Sequence, residues 1–173
     1  MTNTIPSQRE FASLFRHEFR YVEDKIDLPP LSPLLSTFYE DVAPVPWERG
    51  CGYWNVFLNF DAYWDIRDSW FALRLRQNDR KKPSPGNESP VILIDWILDV
   101  LNPDWRAGWP EVDKNDGMQL VKLYAAAIKP YAREIFIPAV RPSEGLTGFS
   151  WYAKVAPRLS EPQASAMSRK GQA

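Results

Sequence analysis

The sequence predicts a mainly α protein: a single compact helical domain with an aromatic-rich core and long Pro-rich loops. Three observations support this class. Apolar residues recur at helical spacing near both ends of the chain, aromatic residues make up 14% of the 173 residues, and 16 prolines interrupt the sequence. An α+β fold with a hairpin within residues 53–76 is the alternative, because apolar and polar residues alternate in parts of that segment.

The first helix is expected from about residue 8 to residue 27. Ser7 and Glu10 have the spacing of a capping box, in which a hydroxyl and a carboxylate satisfy free backbone N–H groups at a helix start. Pro29 and Pro30 would end the helix. The apolar stripe that predicts it consists of Phe11, Leu14, Phe15, Phe19, Val22 and Ile26.

A second, short helix is expected after Ser32, which has the character of an N-cap, with Pro33 at the first helical position. The Gly50-Cys51-Gly52 segment predicts a turn before the central part of the chain. The apolar positions of the short helix are Leu34, Leu35, Phe38 and Val42.

The central residues, 53–76, carry more large apolar side chains than any other segment. We expect a helix over residues 61–76 with Asp61 as its N-cap, and residues 53–60 remain open between helix and strand. The strand interpretation depends on two alternating runs, in which Trp54, Val56, Leu58 and Phe60 alternate with Asn55 and Asn59, and Phe71, Leu73 and Leu75 alternate with Arg74 and Arg76.

Residues 77–90 and 103–116 are predicted as polar loops. The run between them, 91–101, is apolar except for two aspartates and is expected to be a helix. A buried strand at its start, Val91 to Ile94, is the alternative.

The last predicted helix begins after Asp116 and Gly117. Its apolar stripe continues to Ile128, and Pro130 should split the element, because proline lacks the N–H group that a helix interior requires. A second short piece would follow until Ile137.

Composition favours one domain over residues 7–157, with a frayed N-terminus at residues 1–6 and a disordered tail at residues 158–173. The formal net charge is −1, which disfavours a general coat for nucleic acid or an anionic membrane. Cys51 is the single cysteine, so an intramolecular disulfide is impossible. We expect a cytoplasmic protein that does not bind membranes.

No catalytic constellation and no cofactor motif are expected. His17 and Cys51 are the single members of their types, so neither an imidazole-assisted thiol nor a His-based metal site can be assembled from the sequence. A metal-dependent enzyme using clustered aspartates is the weakest alternative function. Its candidate residues are Asp61, Asp65, Asp68, Asp95 and Asp99.

Partner binding is expected at the second loop and the preceding helix. Two tryptophans four residues apart in a loop, with an arginine between them, have the composition of a binding hot spot. The competing interpretation is that the rings fold back over the core. The predicted partner-binding residues are Trp105, Arg106, Trp109, Asp95 and Asp99.

A basic segment next to Trp70 and Phe71 suggests a nucleic-acid-binding regulator as the second function. Cations beside aromatic rings suit single-stranded nucleic acid, and the competing interpretation is a solvated end of the element. The residues of this alternative are Arg74, Arg76, Arg80, Lys81 and Lys82.

These observations together predict a non-enzymatic protein-binding protein that masks a partner surface as an inhibitor, immunity factor or adaptor. Small motif-free proteins of this type are often carried by mobile genetic elements, which is an association and not a physical argument.

Overall fold

The computed structural model describes residues 5–23, 37–40, 45–54, 58–77, 90–113, 115–139 and 146–159. The strands are β1 (Thr37–Glu40), β2 (Glu48–Trp54), β3 (Leu58–Asp65), β4 (Trp70–Gln77) and β5 (Ile92–Leu93). The α-helices are α1 (Gln8–Glu18), α2 (Arg20–Glu23), α3 (Ile94–Leu101), α4 (Gly117–Ile128), α5 (Ala132–Phe136) and α6 (Tyr152–Leu159), with 3₁₀ turns at Lys129–Tyr131 and Leu146–Gly148.

The five strands form one antiparallel sheet in the order β1-β2-β3-β4-β5. The fold is therefore α+β, and the mainly α prediction is wrong. The alternative with a hairpin within residues 53–76 is the correct one, and its strands β3 and β4 are joined by the short connection 66–69.

The predicted helix over residues 61–76 is wrong because period-two alternation outweighs the helical spacing of its aspartates. Asp61, expected as an N-cap, lies in the middle of β3 opposite Arg74. The turn after β3 is held by Asp65, whose Oδ1 accepts from the Asp68 backbone N–H at 3.0 Å, and by Ser69, which adopts a left-handed φ of 51°.

Two further predictions in the first third are wrong. Phe38 lies in β1 and not in a helix, while residues 32–36 lie outside the described part of the chain. The expected turn Gly50-Cys51-Gly52 lies within β2, where both glycines pair with β3.

One of these glycines is required by the close approach of two strands. A Cβ atom at Gly52 would lie 2.8 Å from the Cα of Asp61 and closer still to the Phe60 carbonyl oxygen. Any side chain there would force β2 and β3 apart, which explains a glycine in a strand interior.

The predicted helices at both ends of the chain are confirmed where the structure describes them. Ser7 and Glu10 form the expected capping box, but α1 ends at Glu18 and a short α2 follows. Asp116 caps α4 by accepting from the Gln119 backbone N–H at 2.9 Å, and the helix gives way to a 3₁₀ turn at Pro130. Helix α6 was not predicted.

The interpretations of residues 91–101 are each correct in part. Ile92 and Leu93 pair with β4, as the strand alternative requires, and a helix follows from Ile94 to Leu101. Of the predicted frayed segment 1–6 and the predicted disordered tail 158–173, residues 1–4 and 160–173 lie outside the described part, whereas residues 158 and 159 belong to α6.

The core lies on one face of the sheet, called here the inner face. Phe11 and Phe15 of α1 and its C-cap residue Phe19 are fully buried against it, with ring centroids 5.7 Å (Phe11–Trp64), 5.7 Å (Phe15–Phe60) and 5.2 Å (Phe19–Phe60) from their strand partners. Burying each such ring stabilises the fold by about 1.5–3 kcal/mol. All ring contacts recorded between the described helices and the sheet lie on this face.

Candidate functional site

The opposite face of the sheet, called here the outer face, carries polar and aromatic side chains. Residues that pair across antiparallel strands point to the same side, so the register assigns its members directly. Its rows across β2, β3 and β4 are Trp54, Asn59 and Arg76; Gly52, Asp61 and Arg74; Gly50, Tyr63 and Ala72; and Glu48, Asp65 and Trp70.

At the centre of the outer face, one buried carboxylate is held between two arginines. Nε of Arg74 donates to Oδ1 of Asp61 at 2.6 Å, and an NH2 of Arg76 donates to Oδ2 at 2.6 Å. The Asp61 side chain is only 2% exposed, so both of its oxygens need these partners. We call Asp61, Arg74 and Arg76 the triad. Its two arginines and one aspartate give it one positive charge in excess.

Aromatic side chains extend the triad toward one end of the face. The guanidinium of Arg74 lies 5.2 Å from the ring centroid of Tyr63, whose ring lies 5.2 Å from that of Trp70. The Tyr63 hydroxyl donates to a Glu48 carboxylate oxygen at 2.6 Å. Burial and this hydrogen bond raise the pKa of Tyr63 above its ordinary value, so the phenol stays protonated as a donor.

Two tryptophans of the outer face are open to solvent. Trp54 and Trp70 are each 44% exposed, more than Trp47 at 37%, which lies before β2 beneath the Arg67 guanidinium. Among the described helices, none has a recorded ring contact or ion pair with this face.

Of the five basic residues of the nucleic-acid alternative, the structure describes only two. Arg74 and Arg76 lie on the same face as the exposed rings but are already bonded to Asp61. Arg80, Lys81 and Lys82 lie outside the described residues. The nucleic-acid role stays a prediction.

The structure brings the five predicted partner-binding residues together in a second assembly, called here the loop clamp. The loop after α3 folds back over that helix and onto α4. The clamp consists of Asp95, Asp99, Trp105, Arg106, Trp109, Tyr124 and Arg158.

Hydrogen bonds to the two aspartates of α3 fasten the clamp. Trp105 Nε1 donates to Oδ1 of Asp99 at 2.8 Å, and an NH2 of Arg106 donates to Oδ2 of Asp95 at 2.5 Å. From the other helices, the Tyr124 hydroxyl donates to Asp95 at 2.7 Å and Arg158 donates to Asp99 at 3.1 Å. Each carboxylate therefore joins the loop to one further helix.

The aromatic rings of the clamp pack on one another. Trp105 and Trp109 meet edge to face at 5.1 Å, and Tyr124 lies 5.4 Å from Trp105 and 5.3 Å from Trp109. The Arg106 guanidinium covers the Trp105 ring at 4.3 Å. Trp105 is 6% exposed and Trp109 is half-buried, so the loop folds back over the core, as the competing interpretation stated.

The two carboxyl groups of the clamp shift in opposite directions. Burial raises the pKa of Asp95 above its ordinary value, although the Tyr124 hydrogen bond and the Arg106 charge act against the shift. Burial also acts to raise the pKa of Asp99, but the hydrogen bonds from Trp105 and Arg158 outweigh it and hold the pKa below its ordinary value.

The remaining candidates lie apart from one another. His17 is exposed on α1, whereas Cys51 is buried in β2. Asp65 is buried at the end of β3, and Asp68 is exposed in the following turn. Within the described ranges, no three His, Cys, Asp or Glu side chains come together as ligands for a metal ion.

Trp54, Tyr63 and Trp70 were not singled out as site residues from the sequence. Trp54 shares this face with Asn59 only through the register of β2 with β3, which no local spacing gives. The signal that could have found Trp70 is the alternation that places it on one face with Arg74 and Arg76. It was present in the sequence but was interpreted as helical spacing over residues 61–76.

Comparison with known proteins found no match: no family model, no curated protein and no solved structure is similar to this chain. In the described part of the chain, none of the helices has the length and apolar character needed to cross a bilayer.

Proposed function

We propose that this chain is a non-enzymatic protein-binding protein that acts as an inhibitor, immunity factor or adaptor, and that the outer face of the sheet is its contact surface. The observation that carries this proposal is the continuous series of half-exposed Trp70, Tyr63, Arg74 and Arg76 side chains, with Trp54 on the neighbouring strand. Trp, Tyr and Arg are the residue types enriched at binding hot spots.

The geometry supports the outer face better than the loop clamp as the contact surface. In the clamp, the predicted residues bond to one another and Trp105 offers almost no surface to a partner. On the outer face, Trp54 and Trp70 keep a large part of their rings in water, which a partner would remove. A contribution of Trp109 and Arg106 to binding stays a prediction.

The location that we propose is the cytoplasm. The support is the single cysteine, because proteins of oxidising compartments commonly use disulfides and this sequence cannot form one within the chain.

A capture experiment tests the proposal. The tagged chain and the Trp54→Ala/Trp70→Ala double variant are incubated with host lysate, with and without nuclease treatment and at low and high salt, and captured proteins are identified by mass spectrometry. We expect the double variant to lose at least about tenfold of the partner that the wild type retains, because hot-spot rings each contribute more than about 1.4 kcal/mol.

The matched control is Trp47→Ala, because Trp47 is also exposed but lies outside the outer face. This variant should capture the partner as the wild type does. Equal capture by wild type and double variant would overturn the proposal, as would a signal that nuclease abolishes. The latter result would favour the nucleic-acid alternative, which predicts a steep loss of binding with salt.

A further inference from the structure

Charge on the outer face is arranged in two layers. Two of the three carboxylates in its rows lie underneath, since the side chains of Asp61 and Asp65 are 2% and 4% exposed, whereas Glu48 is half-buried. The cations lie above them, with 22% of the Arg74 side chain and 38% of the Arg76 side chain in contact with solvent. At Asp61, a partner approaching this face therefore meets the guanidinium groups of Arg74 and Arg76 before it meets the carboxylate.

The charge also differs between the two ends of the face. Trp54, Asn59 and Arg76 form the row at one end, while Glu48, Asp65 and Trp70 form the row at the other. Asn59 and Asp65 are six residues apart in β3, so the two rows are separated by roughly 20 Å. The end near Trp54 is cationic and the end near Trp70 carries the acids.

Asp61 does not use up the hydrogen-bonding capacity of Arg76. A guanidinium has five N–H donors, and only an NH2 of Arg76 is recorded as bonding to Asp61. Its Nε is buried and has no hydrogen-bond partner among the described residues, so a partner molecule cannot reach this atom. The side chain is 38% exposed, so a partner can pair instead with the N–H donors of the guanidinium that face solvent.

On this basis, and resting on the proposed function, we infer that the partner presents an acidic protein segment whose carboxylate docks at Arg76, in the row that also carries Asn59 and Trp54. The excess positive charge of the triad supplies the complementarity, and carboxylates match the planar fork of arginine. A segment that covers the whole row from Arg76 to Trp54 would exclude water from the contact, which strengthens the ion pair.

A carboxylate suits this face better than the phosphates of a nucleic acid. A nucleic-acid strand carries a charge at every nucleotide, so a strand following the face would place phosphates over Glu48 as well as over Arg76. The triad offers one excess positive charge, which matches one acidic side chain rather than a row of phosphates.

Selection of peptides on the full chain tests the inference. A displayed library of random 12-residue peptides is selected on the immobilised wild type, and affinities of the enriched peptides are measured by fluorescence anisotropy. We expect Asp or Glu to be enriched beside apolar residues. Changing that Asp to Asn or Glu to Gln in the peptide should weaken binding about tenfold on unaltered protein.

Variants of the chain locate the contact. Arg76→Gln should weaken binding of the acidic peptide about tenfold and should not weaken binding of its neutral counterpart. Arg67→Gln is the matched control, because Arg67 is an exposed arginine bonded to Asp65 and Asp68 at the other end of the sheet. Binding should be unchanged in this control. If Arg76→Gln fails to fold, the peptide substitutions on wild type decide alone.

The outcomes separate this inference from the proposed function. Neutral or basic peptides that bind wild type but not the Trp54→Ala/Trp70→Ala variant would overturn the acidic partner and support the contact surface. Peptides that bind both proteins equally, or the absence of any enriched peptide, would overturn both. A 12-nucleotide oligo(dT) that binds with Arg76 dependence would overturn the acidic protein segment in favour of nucleic acid.

Discussion

The outer face and the loop clamp use the same residue types in opposite layers. On the outer face, the carboxylate of Asp61 is buried and the Trp54 and Trp70 rings are exposed. In the clamp, the Trp105 ring is buried, while the side chains of Asp95 and Asp99 are 30% and 41% exposed. Arginine links acid to ring in both, through Arg74 over Tyr63 and Arg106 over Trp105.

The difference shows that composition alone does not distinguish a contact surface from a structural fastening. Both regions have the Trp-Arg-Asp content of a hot spot, but the energy of a buried ring is already used in folding, and the energy of an exposed ring is available to a partner. Whether a ring is buried or exposed therefore predicts whether its removal lowers the free energy of unfolding or the affinity for a partner.

Removing the buried ring of the clamp should have the largest effect on stability. Trp105→Ala deletes a ring that contacts Trp109 and Tyr124 and donates to Asp99, so the free energy of unfolding should fall by about 4 kcal/mol. Urea denaturation measures it. Trp109→Ala is the control. Because Trp109 is only half-buried, this substitution should lower the free energy of unfolding by clearly less than Trp105→Ala does. If both substitutions lowered the free energy of unfolding by the same small amount, the loop clamp would not stabilise the fold.

Removing the buried acid of the outer face should have the next largest effect. Asp61→Ala leaves Arg74 and Arg76 next to each other without their shared carboxylate, and breaking a buried ion pair from one side costs about 3 kcal/mol or more. The exposed Asp68→Ala is the control and should change the free energy of unfolding by no more than about 1 kcal/mol. If Asp61→Ala lowered the free energy of unfolding by less than about 1 kcal/mol, the buried ion pairs of Asp61 would not stabilise this face.

Smaller effects of opposite sign are expected from the two clamp acids as pH changes. The raised pKa of Asp95 contributes stability below the ordinary Asp pKa, and that contribution is lost as pH rises through the raised value. The lowered pKa of Asp99 contributes stability above the ordinary value, and this is lost as pH falls through the lowered one. The pH ranges over which these two contributions to stability change both border the ordinary Asp pKa of about 3.9.

Urea denaturation of wild type, Asp95→Asn and Asp99→Asn between about pH 2.5 and pH 6 measures these windows, which border the ordinary Asp pKa near 3.9. The stability of wild type minus that of Asp95→Asn should fall with rising pH, and the difference for Asp99→Asn should rise. Two differences with the same slope would show that Trp105 and Arg158 do not hold the Asp99 carboxylate in its charged form.

The sequence predicted the helical ends because capping residues and apolar stripes act locally. Ser7 caps α1 as expected, α4 begins at Gly117 next to the predicted start, and Pro130 ends α4 because proline lacks the N–H group that a helix interior requires. These signals involve residues only three or four positions apart, so no tertiary information is needed.

The sheet was missed because a spacing of four residues fits both periods. Asp61 and Asp65 share a face on a helix with 3.6 residues per turn, and they also share a face on a strand with a period of two. The alternation of Leu73 and Leu75 with Arg74 and Arg76 was the decisive signal, and it gained its meaning only from pairing with β3.

The members of the two assemblies could be predicted from the sequence only in part. The five residues predicted to bind a partner lie within fifteen positions of one another in the sequence and come together in the loop clamp, and their role in binding stays a prediction. Their contacts with Tyr124 and Arg158 depend on how α4 and α6 pack, and the pairing of Asp61 with Arg74 depends on strand register. Neither is encoded by local spacing, so burial could not be assigned.

The smallest effect on stability is expected where the effect on binding is largest. Trp54→Ala and Trp70→Ala remove rings that are 44% exposed, so each should change the free energy of unfolding by less than about 1 kcal/mol, with Trp70 closer to this limit because its ring contacts Tyr63. Urea denaturation, on the same samples used for capture, measures it. A loss near that of Trp105→Ala would mean that these rings stabilise the fold, and a loss of capture could then no longer be attributed to the surface itself.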